Sequence, residues 1–254
     1  WGPKARDIAQ ALTRADLSNE AFPFGTCRTI EMGSQLVLAS RISYVGDLGW
    51  ELYVPMEQGL RLWEELWAVG EPLGLTACGI GVYGTTGRLE KGYRAYGMEL
   101  DGDYTIVEAG MAPPRIKAQD FIGKDAVLQQ LAGPPVALLC TLTVDDHTSP
   151  RTGERRYMLG RQPITTDGGA PITDAKGRRS YATSAGASPS TGKHLLFAYL
   201  PPEHAVEGRQ LFVQYFDELY PVTVAVVGSR PLFDPENLRV RGAAAGQAAV
   251  AVPA

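Results

Sequence analysis

The densest group of side chains that could do chemistry lies in the segment SYVGDLGWELY, residues 43–53. Two glycines bracket a predicted turn, and Trp50, Glu51 and Tyr53 come together after it. Because side chains alternate along a strand, Glu51 and Tyr53 are expected on the same face. A carboxylate can accept two parallel hydrogen bonds, and aromatic rings can cover a flat ring. The pattern indicates either a site for a heterocycle with adjacent N–H donors or a solvated strand glutamate. Asp47, in the turn itself, is expected to face solvent.

A second pattern, Gly79-Ile-Gly-Val-Tyr-Gly84, matches the G-x-G-x-x-G dinucleotide fingerprint, with Glu99 near the position of a ribose-binding acid. The fingerprint requires a buried strand in front of the glycines, and the preceding Glu-Pro-Leu-Gly-Leu-Thr is a poor strand. We therefore expect no dinucleotide here, and a flexible, close-packed helix start instead.

Cysteine and histidine chemistry finds little support. The residues concerned are scattered: Cys27, Cys78, Cys140, His147, His194 and His204. Three distant cysteines without a C-x-x-C pair argue against a disulfide framework or a metal site, and they favour a reducing, cytoplasmic setting. No histidine accompanies a nucleophile elbow. We expect each histidine to be an ordinary surface or partly buried residue.

Composition limits the partners. The 254 residues carry a net charge of -4, with both signs interspersed and no basic run, so nucleic acid is a poor partner. No run of about 18 apolar residues predicts a membrane span.

Hydrophobic spacing predicts that the first part of the chain is α+β. Helices are expected over residues 4–12, Glu57–Val69 and Thr85–Tyr93, and strands over Thr29–Met32, Gln35–Tyr44 and Glu51–Val54. Gly33-Ser34 is a good hairpin dipeptide. Leu60, Trp63 and Trp67 fall at i, i+3 and i+7, which predicts core packing for both tryptophans.

The sequence changes character at Ala132-Gly133-Pro134-Pro135, after which it is mainly β. Strands are expected over Val136–Val144, Gln210–Tyr215 and Tyr220–Val227, with a turn at Phe216–Leu219 and long polar stretches at 145–156 and 165–193. We predict an α+β domain over 1–132, a small β-barrel domain over 133–241 and a disordered tail over 242–254.

The segment SYVGDLGWELYVP resembles the Y-T-G-E-x-G-W/F-E segment of folate-dependent aminomethyltransferases of the glycine-cleavage T-protein family. It is most similar to the folate domain of dimethylglycine and sarcosine dehydrogenases. Further family-like segments run in family order to about residue 241: WGPKARDI, DLSNEAFPFG, GRLEKGYRAYGMEL, DYTIVEAGM, FIGKDAVL and PLFDPENLRVR.

The resemblance implies an aminomethyltransferase-like folate-binding domain followed by a barrel, with tetrahydrofolate as cofactor. Glu51 would hold the 2-amino and N3–H edge of the pterin. Tyr44, Leu52 and Tyr53 would line the ring or its linker.

Two further residues are implied less strongly. Arg88 matches the arginine of the family's L-R-L-E and would face the folate, or else form a salt bridge with Glu90 or another acid on its helix. Tyr96 takes the aromatic position before the family's glycine and would contact the ligand, or else pack in the core.

The implied reaction moves a one-carbon unit, at the imine or aminomethyl level, from an amine such as dimethylglycine, sarcosine or glycine to tetrahydrofolate, which gives 5,10-methylene-tetrahydrofolate. A flavin dehydrogenase domain or subunit is the implied partner. Two alternatives stay open: a non-catalytic folate-binding or structural module, and a folate-dependent demethylase of another methyl donor.

Departures from the family pattern weaken the assignment of a catalytic role. Thr85 replaces the usual Asp, Ala112-Pro113-Pro114 replaces an aromatic position, and Gln162 replaces a Glu. The family's catalytic Asp would lie upstream of Gly2-Pro3, so the catalytic residue is unknown.

Overall fold

The computed structural model describes residues 1–112 and 116–242, and these form two compact units. The first unit is Trp1–Tyr83 with the segment that begins at Glu236, and the second is Gly84–Pro235. The departure at Pro113-Pro114 and the tail expected beyond residue 242 lie outside the described residues. The domain boundary expected near residue 133 stays a prediction.

The first unit is built on a three-stranded antiparallel sheet of order β1-β2-β3. Its elements are α1 (Ala5–Gln10), β1 (Cys27–Met32), β2 (Gln35–Ser40), β3 (Glu51–Tyr53) and α2 (Met56–Gly70). The strand expected over Gln35–Tyr44 ends at Ser40 because residues 41–50 leave the sheet for the turn before β3. The hairpin turn is where it was predicted. Gly33 has φ +59°, and a Cβ there would overlap the Glu65 carboxylate, so the turn requires glycine.

One face of this sheet is covered and the other is open. Along β2, Val37 and Ala39 are fully buried, whereas the alternate residues Leu36 and Leu38 are exposed. Register pairs Leu38 with Tyr53 and Ser40 with Glu51, so both β3 side chains lie on the open face. The sheet therefore presents Glu51 and Tyr53 away from the core.

Helix α2 buries a different stripe from the one its periodicity suggested. Leu60 and Trp63 are exposed, at 70% and 54%, and Trp67 is half-buried and stacked on Trp63 with centroids 5.9 Å apart. The prediction that the tryptophans pack in the core is wrong. The buried stripe is Leu62, Leu66 and Gly70, because α2 has two apolar stripes and the sheet covers this one.

The second unit is built on a six-stranded antiparallel sheet of order β5-β8-β9-β4-β7-β6. Its elements are a π-helix (Val82–Gly87, which begins in the first unit), α3 (Arg88–Glu90), α4 (Lys124–Ala132), β4 (Leu138–Val144), β5 (Ile164–Thr165), β6 (Ala182–Ser188), β7 (Lys193–Leu200), β8 (Gln210–Tyr215) and β9 (Glu218–Val227). The two outer strands approach each other, because Pro163, just before β5, is bridged to Tyr181, just before β6. This seam curls the sheet into the expected barrel around one apolar core.

Strand β6 was not predicted, because its sequence ATSAGAS lies in a polar stretch. The small residues of β6 allow it to pack closely against the helical segment. A Cβ on Gly186 would lie 2.9 Å from both Thr85 Cγ2 and Leu89 Cδ1. The strand can therefore approach the helical segment only where its side chains are minimal.

The predicted helix over Thr85–Tyr93 is displaced towards the N-terminus. Helical structure starts at Ile80, continues as the π-helix and ends with α3 at Glu90. A Cβ added at Gly79, Gly81 or Gly84 would meet no atom within 4 Å, so the expectation of close packing at these glycines is wrong. Residues 75–79 have no regular structure, so the fingerprint lacks its strand.

Within residues 1–112 and 116–242, no helix has both the length and the apolarity needed to cross a membrane.

Candidate functional site

Glu51 is the centre of a polar and aromatic cluster in the first unit. The turn that places it depends on Gly49, which has φ +158° and whose Cβ would lie 2.6 Å from Trp1 Cδ1. Glu51 is half-buried at the start of β3, on the open face of the sheet. A glycine-dependent turn therefore delivers a carboxylate to an accessible surface.

Two tyrosine hydroxyls hold the Glu51 carboxylate. Tyr53 donates to Oε2, and Tyr83 donates to Oε1 at 3.2 Å. A carboxylate has about four lone-pair positions, so two donors leave further acceptor capacity on the same group. The carboxylate is fixed in orientation but not saturated.

Two further aromatic rings pack against Tyr83. Its ring centroid lies 5.1 Å from that of Tyr44 and 5.2 Å from that of Trp1. The Trp1 indole is itself held by a hydrogen bond from Nε1 to the Ile42 carbonyl, at 2.9 Å. We call Trp1, Tyr44, Glu51, Tyr53 and Tyr83 the Glu51 cluster.

The two phenols stay protonated at neutral pH. Burial, followed by the negative charge of Glu51, raises the pKa of Tyr83 to about 12. The hydrogen bond to Glu51 is the main cause that raises the pKa of Tyr53. Both side chains are therefore neutral hydrogen-bond donors to the Glu51 carboxylate.

Tyr83 is the residue that the sequence did not reveal. It stands in the glycine-rich segment that was considered only as a dinucleotide fingerprint, and 32 positions separate it from Glu51. The only signal available was an aromatic residue at the start of a helix, which is too common to be informative.

Two residues expected near Glu51 point elsewhere. Trp50 is buried in the core, with its ring edge-on to Phe22 at 6.1 Å. Leu52 packs partly buried against the same core, on the face opposite to Glu51 and Tyr53. The expectation that Trp50 joins the Glu51 group is wrong, and the structure does not bring Leu52 to the open face; its assignment to the ligand stays a prediction.

Arg88 lies in a buried network in the second unit. Its guanidinium donates to Glu99 Oε2 at 3.1 Å, to Ser184 Oγ at 2.6 Å, and to the carbonyls of Gly84 and Tyr93. The ion pair with Glu99 is not on the same helix, unlike the salt bridge considered from sequence. Four of five N–H donors are used, which describes a positioning role, and a direct folate contact stays a prediction.

Glu99 and Tyr96 are opposite in exposure. Glu99 has no exposed surface and is committed to Arg88, so it cannot face a ribose. Tyr96 is 93% exposed, which excludes core packing and leaves it available to a ligand.

The cysteines and the possible metal ligands are the remaining candidates. Cys27, Cys78 and Cys140 are free thiols. Within the described ranges, no three His, Cys, Asp or Glu side chains form a group that could hold a metal ion.

The Glu51 cluster fits the edge of a pterin. A carboxylate with open acceptor positions can take two adjacent N–H groups, and nearby rings can cover a flat heterocycle. The cluster therefore has a hydrogen-bond acceptor and aromatic rings, which suit the pterin of the cofactor that the resemblance implied.

Comparison with known proteins agrees with this architecture. The GCVT N-terminal domain matches residues 1–113, and the glycine cleavage T-protein C-terminal barrel domain matches residues 139–234. The crystal structure of glycine cleavage system aminomethyltransferase T from Bartonella henselae has a TM-score of 0.67 and 22% identity. The match covers 88% of this chain and 55% of that one. The fold is thus that of the aminomethyltransferases, an N-terminal α+β domain followed by a barrel.

Sequence relatives narrow the class. The chain is 34% identical to dimethylglycine dehydrogenase of Homo sapiens, over 94% of its own length and 26% of that protein. It is 38% identical to the aminomethyltransferase of Shouchella clausii, over 63% of its own length and 44% of that protein. The chain spans about a quarter of the length of the dehydrogenases it matches. It belongs to the glycine-cleavage T-protein, or aminomethyltransferase, family.

Proposed function

We propose that this chain binds tetrahydrofolate through the Glu51 cluster and takes part in transfer of a one-carbon unit at the imine or aminomethyl level, from an amine such as dimethylglycine, sarcosine or glycine. The observation that carries the proposal is the accessible Glu51 carboxylate, which two neutral phenols orient without filling its acceptor positions. A surface glutamate with no ligand role needs no such support from Tyr83 and Tyr53.

Each residue has a defined part in this proposal. Glu51 accepts the two N–H groups on the pterin edge, and Tyr44 provides a ring against which the heterocycle packs. Tyr53 and Tyr83 keep the carboxylate oriented, so less conformational entropy is lost on binding. Bound tetrahydrofolate supplies the amine nitrogen that takes up the one-carbon unit. The chain's contribution is to fix the position of that nitrogen, which is a proximity effect.

The source of the one-carbon unit belongs to the same proposal. Relatives named dimethylglycine dehydrogenase, sarcosine dehydrogenase and sarcosine oxidase subunit alpha suggest a flavin dehydrogenase domain or subunit as the partner. The three free thiols support a reducing compartment such as the cytoplasm. No residue of the chain is assigned to proton transfer.

Calorimetric titration of the 254-residue chain with 5-formyl-tetrahydrofolate tests the proposal. Glu51→Gln should weaken binding about tenfold to a hundredfold, because a charge-assisted contact is worth roughly 1.5–3 kcal/mol. The glutamine also places a donor opposite the N–H groups of the pterin. Glu31→Gln is the matched control, because Glu31 is exposed on the same sheet, on strand β1, which β2 separates from the strand of Glu51.

Asp47 is not a suitable control. The sequence suggested that it faces solvent, but its Oδ1 accepts a hydrogen bond from Arg239 Nε at 2.6 Å, and both side chains are 27% exposed. That expectation is wrong. Equal affinities of the Glu51 and Glu31 variants would remove Glu51 from the site. No folate binding by the folded, unmutated chain would favour the structural module instead.

A further inference from the structure

A second surface with the chemistry of a binding site lies at the seam that closes the barrel. Arg179 and Tyr181 flank the buried Ser180, so they lie on the same face of the chain before β6. The bridge between Pro163 and Tyr181 brings the segment of Arg161 alongside. A cavity of about 490 Å³ opens here, and its lining includes Arg161, Pro163, Arg179, Tyr181 and Gln214. We call this the seam cleft.

The backbone fixes the position of Arg161 at the cleft. Its N–H donates to the Ala182 carbonyl at 2.6 Å, and the preceding Gly160 donates to Gln162 Oε1 at 2.8 Å. Arg161 has φ +72°, an uncommon value for a residue with a side chain. The local hydrogen bonds therefore hold the start of the Arg161 side chain in one place.

Both arginines of the cleft have unused guanidinium groups. The Arg161 Cζ lies 5.7 Å from the centroid of the Tyr181 ring. Across residues 1–112 and 116–242, neither guanidinium forms an ion pair or a hydrogen bond. Arg178, one residue earlier, shows the contrast, because it is paired with both Glu108 and Asp174. Two cations and an aromatic ring thus face one cavity without a counter-ion.

We propose that the seam cleft binds a small organic anion with two acidic groups, one for each of Arg161 and Arg179. The planar guanidinium group suits bidentate contacts with carboxylate or phosphate oxygens. The Tyr181 ring would contact the carbon skeleton between the acidic groups, and the Gln214 amide is a further donor. The cavity has the size of ordinary small-molecule sites. The site lies wholly within Gly84–Pro235 and does not depend on folate binding at Glu51.

A small ligand fits this surface better than a nucleic acid. The chain has a net charge of -4 and no basic stripe, whereas phosphate backbones are bound by extended rows of cations. The cationic groups here are confined to one cavity.

Titration calorimetry at low ionic strength tests the proposal with two probes, glutarate and inorganic phosphate. The variants are Arg161→Asn and Arg179→Gln, and asparagine is chosen because it tolerates a positive φ. Arg209→Gln is the control, since Arg209 is an exposed arginine of the same unit that does not line the cleft. Circular dichroism and thermal unfolding check that each variant is folded.

Glutarate should bind the unmutated chain with a millimolar Kd, about tenfold more weakly after either cleft substitution and unchanged after Arg209→Gln. Tighter binding of phosphate than of glutarate, with the same pattern among the variants, would overturn the requirement for two acidic groups and show that both arginines hold one phosphate. The proposal is overturned if neither probe binds saturably at millimolar concentration, or if Arg209→Gln weakens binding as much as the cleft substitutions do. A folded chain that binds glutarate but not folate would separate this site from the function proposed for Glu51.

Discussion

Two carboxylates, Glu51 in the first unit and Glu99 in the second, show how the same chemical group is used in different ways. Glu99 has no exposed surface and accepts four hydrogen bonds, from Arg88, Ala95, Thr183 and Ser184, at 2.5–3.1 Å. Glu51 is half-exposed and accepts two, both from phenols.

The two carboxylates differ in the number of acceptor positions that remain open to a ligand. Four donors match the acceptor capacity of a carboxylate, so Glu99 has no position open and must stabilise the fold. Glu51 is oriented but keeps acceptor positions at an accessible surface. A polar cluster is therefore a candidate binding site when it is organised and incomplete, and a structural element when it is complete.

The largest effect expected from this comparison is on stability, for Glu99→Gln. Removing the charge leaves the buried Arg88 guanidinium uncompensated, which should cost about 3–5 kcal/mol of unfolding free energy. Urea unfolding followed by circular dichroism measures it. Glu51→Gln, at a half-buried position whose carboxylate has only neutral partners, should change stability by less than about 0.5 kcal/mol.

Tryptophan fluorescence shows which unit loses stability in this experiment. All four tryptophans lie in Trp1–Tyr83, so their fluorescence reports on the first unit, whereas circular dichroism reports on both. A loss under about 0.5 kcal/mol for Glu99→Gln would contradict the assignment of a saturated structural carboxylate.

A smaller effect is expected for Tyr83→Phe, on ligand affinity. The substitution removes one of the two donors to Glu51 but keeps the ring that packs between Tyr44 and Trp1. A neutral hydrogen bond is worth about 0.5–1.5 kcal/mol, so 5-formyl-tetrahydrofolate should bind about twofold to tenfold more weakly. Calorimetry of this variant gives the value.

Tyr215→Phe is the control, because Tyr215 is a half-buried tyrosine of the second unit, outside the Glu51 cluster. Tighter binding by Tyr83→Phe would show that its hydroxyl competes with the ligand for Glu51. The positioning role would then be wrong, although Glu51 would stay in the site.

Local patterns were enough to predict much of the fold. Alternation located strands β8 and β9, and the turn between them has Phe216 and Asp217 at positive φ. The period of two also placed Glu51 and Tyr53 on one face. In both cases the outcome depends on neighbours close in the sequence.

Predictions failed where a distant partner decides the outcome. Asp47 is held by Arg239, 192 positions away, and Arg88 pairs with Glu99 rather than with an acid on its own helix. Periodicity likewise found two apolar stripes on α2 but could not show which one the sheet covers. Tyr83 was missed for the same reason, since its relation to Glu51 exists only in the folded chain.

His194, in the second unit, allows a test of how stability depends on pH. Unlike Glu99, it leaves part of its hydrogen-bonding capacity unused among the described residues. His194 is 5% exposed, so the expectation that it lies at the surface or is only partly buried is wrong. Its Nε2 contacts the Met158 carbonyl at 3.0 Å, and Nδ1 has no partner among the described residues. Burial, opposed by that hydrogen bond and aided by His147, lowers the pKa of His194 below its ordinary value. Protonation is therefore easier in the unfolded chain.

The lowered pKa of His194 determines whether stability rises or falls with pH. His194 favours the folded state above its unfolded pKa, and this contribution is lost as the pH falls through the lowered folded pKa. His194→Gln should therefore lose less stability than the unmutated chain between pH 7 and the acid limit of folding. Urea unfolding of both proteins over this range checks it. Parallel pH profiles would contradict the inference.

The smallest expected effect is for Gly84→Ala. Gly84 lies in the sequence between Tyr83, a member of the Glu51 cluster, and Arg88, which pairs with Glu99. Nothing lies within 4 Å of a Cβ at this position, and its φ is not positive. Alanine should therefore stabilise the helical segment by up to about 1 kcal/mol. Gly33→Ala is the opposite case and should destabilise, because its φ is +59° and Glu65 occupies the space.

Thermal unfolding compares the two variants, and calorimetry with 5-formyl-tetrahydrofolate follows for Gly84→Ala. Unchanged affinity would show that Glu51 and Glu99 act independently. A large change in affinity would mean that the helical segment couples them, and the division between a binding carboxylate and a structural one would have to be abandoned.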